Sequence, residues 1–171
     1  MNESKNIFDE RERSGFEKLT MLNSIWNIAE LGQTPKLYPV DASGITKTGK
    51  TIVIENKDRT GYTLSYFEKE GTVFVEGHKW AELLVEANME HSPLYCNYTK
   101  DGYAIVFQVN DFKSTHLNSK RVHVNSKGYE QQRNEGREFE YKFLLPMTGA
   151  WIYKLDNENK VATLIRKRQD K

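Results

Sequence analysis

The alternation of apolar and polar positions divides the chain into two helical stretches and a series of short strands. From about Ser14 to Leu31, "SGFEKLTMLNSIWNIAEL" places Leu19, Leu22, Ile25, Trp26 and Ala29 on one broad face, with Gly32 as a stop. A second helix is predicted over about Lys79 to Glu90, where Trp80, Leu83, Leu84 and Ala87 recur at helical spacing and Pro93 closes the segment. Between these helices, "KLYPVDASGIT" and "KTIVIENK" read as two strands of a hairpin turning near Thr48, and Thr72 to Val75 as a short strand. "PLYCNYT" and "YAIVFQVND" form a further hairpin across a Lys-Asp-Gly turn. "FEYKFLLP", "AWIYKL" and "KVATLIRK" complete the set. The stretch 114–138 is polar enough to be expected as a long loop, and residues 1–12 as a mobile N-terminal arm before a single domain over 13–171. This order of elements predicts an α+β or mixed α/β fold.

Composition adds limits. A chain of 171 residues fits one domain and is long enough to bury roughly 70% of its unfolded surface. No apolar run approaches the ~18 residues of a membrane span, and the N-terminal segment lacks the apolar core of a secretory signal. The single cysteine, Cys96, has no intrachain partner for a disulfide or a thiolate metal cage, so a reducing, cytoplasmic setting is expected. The four histidines show no zinc-ligand spacing and are expected in structural or surface roles, Tyr95, Tyr98 and Tyr103 are expected in core and cross-strand packing rather than base stacking, and no phosphate-cradling glycine motif is present. The net charge of +1 argues against wholesale coating of nucleic acid, but Phe112 to Lys171 carries 13 Lys and Arg against 7 Asp and Glu. The basic end with Arg166, Lys167 and Arg168 is therefore a candidate phosphate contact, with a solvated tail as the alternative.

One strand changes the picture. "TIVIENKDR", 51–59, begins with Ile52, Val53 and Ile54, as a covered strand would, then runs into Glu55, Asn56, Lys57, Asp58 and Arg59. Glu55, Lys57 and Arg59 alternate onto one face. A hairpin centred near Thr48 pairs residues whose numbers sum to about 96, which sets Asp41 opposite Glu55 at roughly 5 Å between Cβ atoms. Two carboxylates so placed repel, and burial raises the cost. A divalent cation relieves both, and oxygen-rich sites of one or two carboxylates suit magnesium or manganese. A nearby lysine can orient a water or neutralise charge on a phosphate.

Pro39-Val40-Asp41, thirteen intervening residues and Glu55-Asn56-Lys57, between a preceding and a following helix, resemble the PD-(D/E)xK nuclease superfamily, in particular its small phage-type, Holliday-junction-resolvase-like members. The likeness spans about Phe16 to Asp111. It departs at Val40, which interrupts the Pro-Asp pair. The resemblance implies a restriction-endonuclease-like core, a mixed central sheet flanked by helices, and a Mg²⁺-dependent endonuclease in which Mn²⁺ substitutes. It implies Asp41, Glu55 and the Asn56 carbonyl as metal ligands, Lys57 acting on the attacking water, Glu17 as a candidate further acid, and DNA as substrate, with a homodimer as a candidate assembly. Arg59 and Lys79 are candidate nucleic-acid contacts. The alternatives are a non-catalytic nucleic-acid-binding or structural protein on the same scaffold, and an oligomeric interaction protein without nucleic acid.

Overall fold

The computed structural model describes residues 3–35, 38–123 and 139–169. The order is α1 (Glu3–Trp26), β1 (Ala29–Gln33), β2 (Ala42–Ile45), β3 (Thr51–Arg59), α2 (Leu64–Glu70), β4 (Thr72–Glu76), α3 (Gly77–Asn88), β5 (Ser92–Thr99), β6 (Tyr103–Gln108), β7 (Asn118–His123), β8 (Phe139–Pro146), β9 (Trp151–Asp156) and β10 (Val161–Arg166). A seven-stranded mixed sheet runs β1-β2-β3-β5-β6-β9-β10, and a small antiparallel sheet runs β4-β8-β7. The fold is α+β.

Strand β3 is the hinge of this topology. It pairs antiparallel with β2 on one side and parallel with β5 on the other. A parallel neighbour requires a long crossover, and here that crossover is α2, β4 and α3, which carry the chain over one face of the large sheet. Central β5 is buried at all eight positions. Side chains alternate between two cores. On one face Leu19 and Leu22 of α1 meet Ile54, Cys96, Tyr98 and Val106. On the other, Trp80 and Leu83 of α3 and Val73, Val75 and Leu145 of the small sheet meet Val53, Tyr95, Ile105 and Phe107.

The β2–β3 register is the one expected: Ala42 pairs with Ile54, Ser43 with Val53 and Gly44 with Ile52. The β5–β6 hairpin and the last three strands also lie where the apolar runs place them. Other boundaries differ. The first helix begins at Glu3 rather than near Ser14, so residues 3–12, expected as a mobile arm, are helical. It ends at Trp26 rather than Leu31, because Asn27 takes a positive φ of 53° and its successors turn into β1. Gly44 makes that turn-back possible, since a Cβ there would lie 2.4 Å from the Ile28 side chain. The polar stretch expected as a loop contains a single 3-10 turn, Ser114–His116, and β7, whose hydrogen bonds come from pairing with β8; residues 124–138 lie outside the described residues. Helix α2, "LSYFEKE", is too short for periodicity to show; Thr63 caps it and Gly71 ends it at a φ of 69°.

Candidate functional site

Asp41 stands immediately before β2, where regular pairing with β3 stops. Its backbone N–H donates to the Ile54 carbonyl at 2.9 Å, and its Oδ2 accepts from the Asn56 N–H at 2.7 Å. The carboxylate thus takes the place that a carbonyl of a longer β2 would fill, and pins Asp41 beside the acid–base end of β3. Glu55 is 3% exposed, on the face of β3 covered by the crossover. Burial, and then the negative charge of Asp41, push the Glu55 carboxyl up to about 8, even with Lys79 and Lys57 acting against the shift. Burial also raises Asp41, against its Asn56 hydrogen bond and the same two lysines. Burial leads both shifts, and at Glu55 the neighbouring Asp41 charge adds to it, a combination that added positive charge relieves.

The crossover supplies a matching acid and base. Glu76 ends β4 and stands at the N-cap of α3, yet its side chain makes no capping bond and turns inward. Its Oε1 lies 3.3 Å from Lys57 Nζ and 3.7 Å from Arg59 Nη2. Burial works to raise Glu76, but the Lys57 and Arg59 charges outweigh it and hold its carboxyl below the usual range. Three residues on, Lys79 reaches back to Glu55 Oε2 at 3.2 Å. Each acid of one segment therefore meets the lysine of the other: Glu55 with Lys79, and Glu76 with Lys57. Gly77 makes the junction fit, because a Cβ there would sit 2.9 Å from the Tyr141 carbonyl oxygen.

Lys79 has further partners. Its Nζ donates to the Pro39 carbonyl at 2.9 Å, which ties α3 to the segment before Asp41, and lies 3.0 Å from Glu82 Oε2. Burial disfavours the ammonium, but Glu55 and Glu82 outweigh it and raise the Lys79 pKa. Glu55 Oε2 and Glu82 Oε2 are buried, and the Lys79 ammonium lies within hydrogen-bond distance of both.

The sequence candidates thus fall into groups. Asp41, Glu55, Asn56, Lys57 and Lys79 are brought together. Arg59 is close by but 7% exposed, with its guanidinium donating to the Phe74 carbonyl, Tyr95 Oη and Asn97 Oδ1; its partners are internal rather than phosphate. Glu17 is exposed on α1, and α1 packs on the sheet face opposite to Glu55. The half-buried acid on the sheet-facing side of α1 is Glu12, one turn before Gly15, whose Cβ position is 3.7 Å from Asn56 Cβ. Arg166 pairs with Glu68 at 3.0 Å and Arg168 with Asp111, while Lys167 is exposed. These three belong to β10 and its extension, four strand steps from β3, on the order of 19 Å at sheet spacing. His78 and His91 pair with Glu140 and Glu86, and Cys96, Tyr95 and Tyr98 are buried in the cores. Sequence reasoning does not single out Glu76 and Glu82. The one clue to them is "VEGHKWAE", an acid–base pattern at a strand–helix junction.

Among the described residues, no three carboxylate, imidazole or thiol side chains close into a metal-binding group. The oxygen donors at the acid–base end of β3 are fewer: the Asp41 and Glu55 carboxyls and a main-chain oxygen. In a strand the N–H and C=O of one residue face the same edge, so the Asn56 carbonyl faces the edge where Asp41 accepts its N–H. Oxygen donors of this kind suit Mg²⁺ or Mn²⁺, with water filling the remaining positions.

No protein-family model matches the chain, and no curated protein does. Ten solved chains match it. One is Archaeoglobus fulgidus Hjc, a Holliday junction resolvase from an archaeal hyperthermophile, at 10% identity over 80% of this chain and 84% of that one, with a TM-score of 0.46. That degree of likeness carries neither a residue role nor an activity from one chain to the other. No helix among the described residues is long and apolar enough to cross a membrane.

Proposed function

We propose that the protein is a divalent-metal-dependent nuclease that hydrolyses phosphodiester bonds of DNA. The observation that carries this reading is the pair Asp41 and Glu55, two interacting carboxyls of raised pKa at the acid–base end of β3, with Lys57 and Lys79 near them. Asp41, Glu55 and the Asn56 carbonyl would hold the ion. A bound Mg²⁺ lowers the pKa of its water and stabilises charge on a phosphoryl oxygen. The chain's own contribution is positional. The Asn56 N–H fixes the Asp41 carboxylate, Glu76 fixes the Lys57 ammonium, and the crossover shields Glu55 from bulk water. Lys57, half-exposed and two residues beyond Glu55, is the group placed to orient the attacking water or meet a phosphate oxygen. If an acid of α1 contributes, Glu12 is better placed than Glu17.

The second reading, a non-catalytic nucleic-acid-binding or structural protein, has one observation in its favour: Lys57, Arg59 and Lys79 all have acidic partners inside the protein. Incubation with duplex, branched and single-stranded DNA and with RNA, in Mg²⁺, Mn²⁺ or chelator, separates the two. The nuclease reading expects metal-dependent cleavage of at least one DNA substrate, and loss of about 10²–10³ in rate for Lys57→Ala. Cleavage by the parent but at the same rate in Lys57→Ala would remove Lys57 from the chemistry. No cleavage under any condition would favour the second reading.

A further inference from the structure

We infer that Lys79 is the resident cation of the Asp41–Glu55 site, a tethered ammonium that occupies the Glu55 carboxyl when no divalent ion is bound and gives way to the ion by moving onto Glu82. The inference rests on the metal-site reading above and adds to it a competition built into helix α3.

Three observations carry it. First, Lys79 and not Lys57 lies against the buried acid: Nζ is 3.2 Å from Glu55 Oε2, while Lys57 is held by Glu76. Second, the ammonium is shared rather than held by one acid. Its Nζ donates to the Pro39 carbonyl at 2.9 Å and lies within hydrogen-bond distance of both Glu55 Oε2 and Glu82 Oε2. Three acceptors compete for one tethered cation, so turning away from Glu55 leaves it two partners. Third, Lys79 has somewhere to go. Glu82 is one helical turn further on, already 3.0 Å from Nζ and more exposed than Glu55, with side-chain exposures of 31% and 4%. A lysine in the first turn of a helix is opposed by the helix dipole, and the i,i+3 acid offsets that cost wherever the ammonium points.

The arrangement has a physical consequence. An ammonium beside Glu55 satisfies the acid in the empty site and repels an incoming divalent ion, so it weakens metal affinity while holding the folded state together. Glu82 acts in the opposite sense by drawing the ammonium aside. The two side chains set the metal concentration at which the site fills.

The test is Mn²⁺ binding followed by calorimetry and by the electron paramagnetic resonance of free ion, on the parent, Glu55→Gln, Lys79→Gln and Glu82→Gln. Lys79→Gln keeps an amide donor for the Pro39 carbonyl; Lys79→Met, which keeps the stem alone, serves as a second variant, and circular dichroism reports the fold of each. The expected result is binding by the parent, loss in Glu55→Gln, at least about tenfold tighter binding in Lys79→Gln as one positive charge leaves the site, and weaker binding in Glu82→Gln. A parent that binds no Mn²⁺ while Lys79→Gln does would support the same conclusion in stronger form. If the parent binds and Glu55→Gln does not, but Lys79→Gln and Lys79→Met bind no tighter than the parent, the competition is overturned and the metal site stands. If neither the parent nor the Lys79 variants bind, both fall.

Discussion

The protein carries charge in two contrasting places. At the end of β10, Arg166 and Glu68 pair across a surface, with side-chain exposures of 40% and 44%. At the end of β3, Glu55 and Glu76 are nearly closed off from water and each is matched to a lysine on the facing segment. Water and salt screen the first pair, so its geometry has little energetic consequence. In the second, every charge depends on its neighbours, because a buried charge that loses its partner keeps its full desolvation cost. An excess of basic residues along a sequence therefore points to where charge is abundant, whereas chemistry is more often found where charge is constrained.

The largest effect that distinguishes the two places is expected from Glu76→Gln. The change keeps the shape of the side chain but leaves Lys57 and Arg59 without their acid. Removing one partner of a buried pair costs about 3–5 kcal/mol, with the lower end expected because Lys57 is 31% exposed. Chemical denaturation of parent and variant measures it. A loss below about 0.5 kcal/mol, the level of an ordinary surface substitution, would place the Glu76 pair in the same class as Arg166–Glu68.

A smaller, graded effect follows from pH. With chelator present, Glu55 titrates at about 8 in the folded protein against an ordinary value of 4.5. A carboxyl raised in this way binds more protons folded than unfolded. Its contribution to stability is complete below about pH 4.5 and is lost as pH rises through about 8. Melting temperature in chelator should therefore fall between about pH 5 and 8.5, and Glu55→Gln should flatten that fall. A parent curve level across this window would mean that Glu55 is ionised in the folded state at neutral pH.

The smallest effect belongs to β10. Neutralising Arg166, Lys167 and Arg168 together should change stability by only about 0.5 kcal/mol per position. If these residues meet duplex backbone, the slope of log binding constant on log salt should flatten by up to about 0.9 per lost contact. An unchanged slope in a DNA titration would leave them as surface charges.

What can be read from the sequence divides along the same line. The β2–β3 register follows from one turn and one alternating pattern, both local, and these two features are enough to bring Asp41 to Glu55. The apolar runs of β5, β6, β8, β9 and β10 are likewise legible because each buries its own side chains. Strand β7 is not: "NSKRVH" is polar, and its place comes from hydrogen bonds to β8 rather than from burial. The roles of Glu76 and Glu82 are hidden for a related reason. Acids at a strand end and on a helix look solvated until a crossover folds them against β3. Arg59 misleads in the opposite direction, since alternation places it correctly on the Glu55 face but cannot show that β4 covers that face.

The central claim, that Asp41 and Glu55 form a site for a divalent cation, is tested most directly by thermal melts of the parent and Asp41→Asn in chelator and in Mn²⁺. Asparagine keeps an oxygen that can accept the Asn56 N–H while removing a carboxyl whose charge burial and the neighbouring Glu55 both disfavour. In chelator the variant should melt at the parent temperature or above it. In Mn²⁺ the parent should gain stability as RT ln(1 + [L]/Kd), and the variant should lose most of that gain. An equal Mn²⁺ shift in both proteins, or none in the parent, would contradict the account.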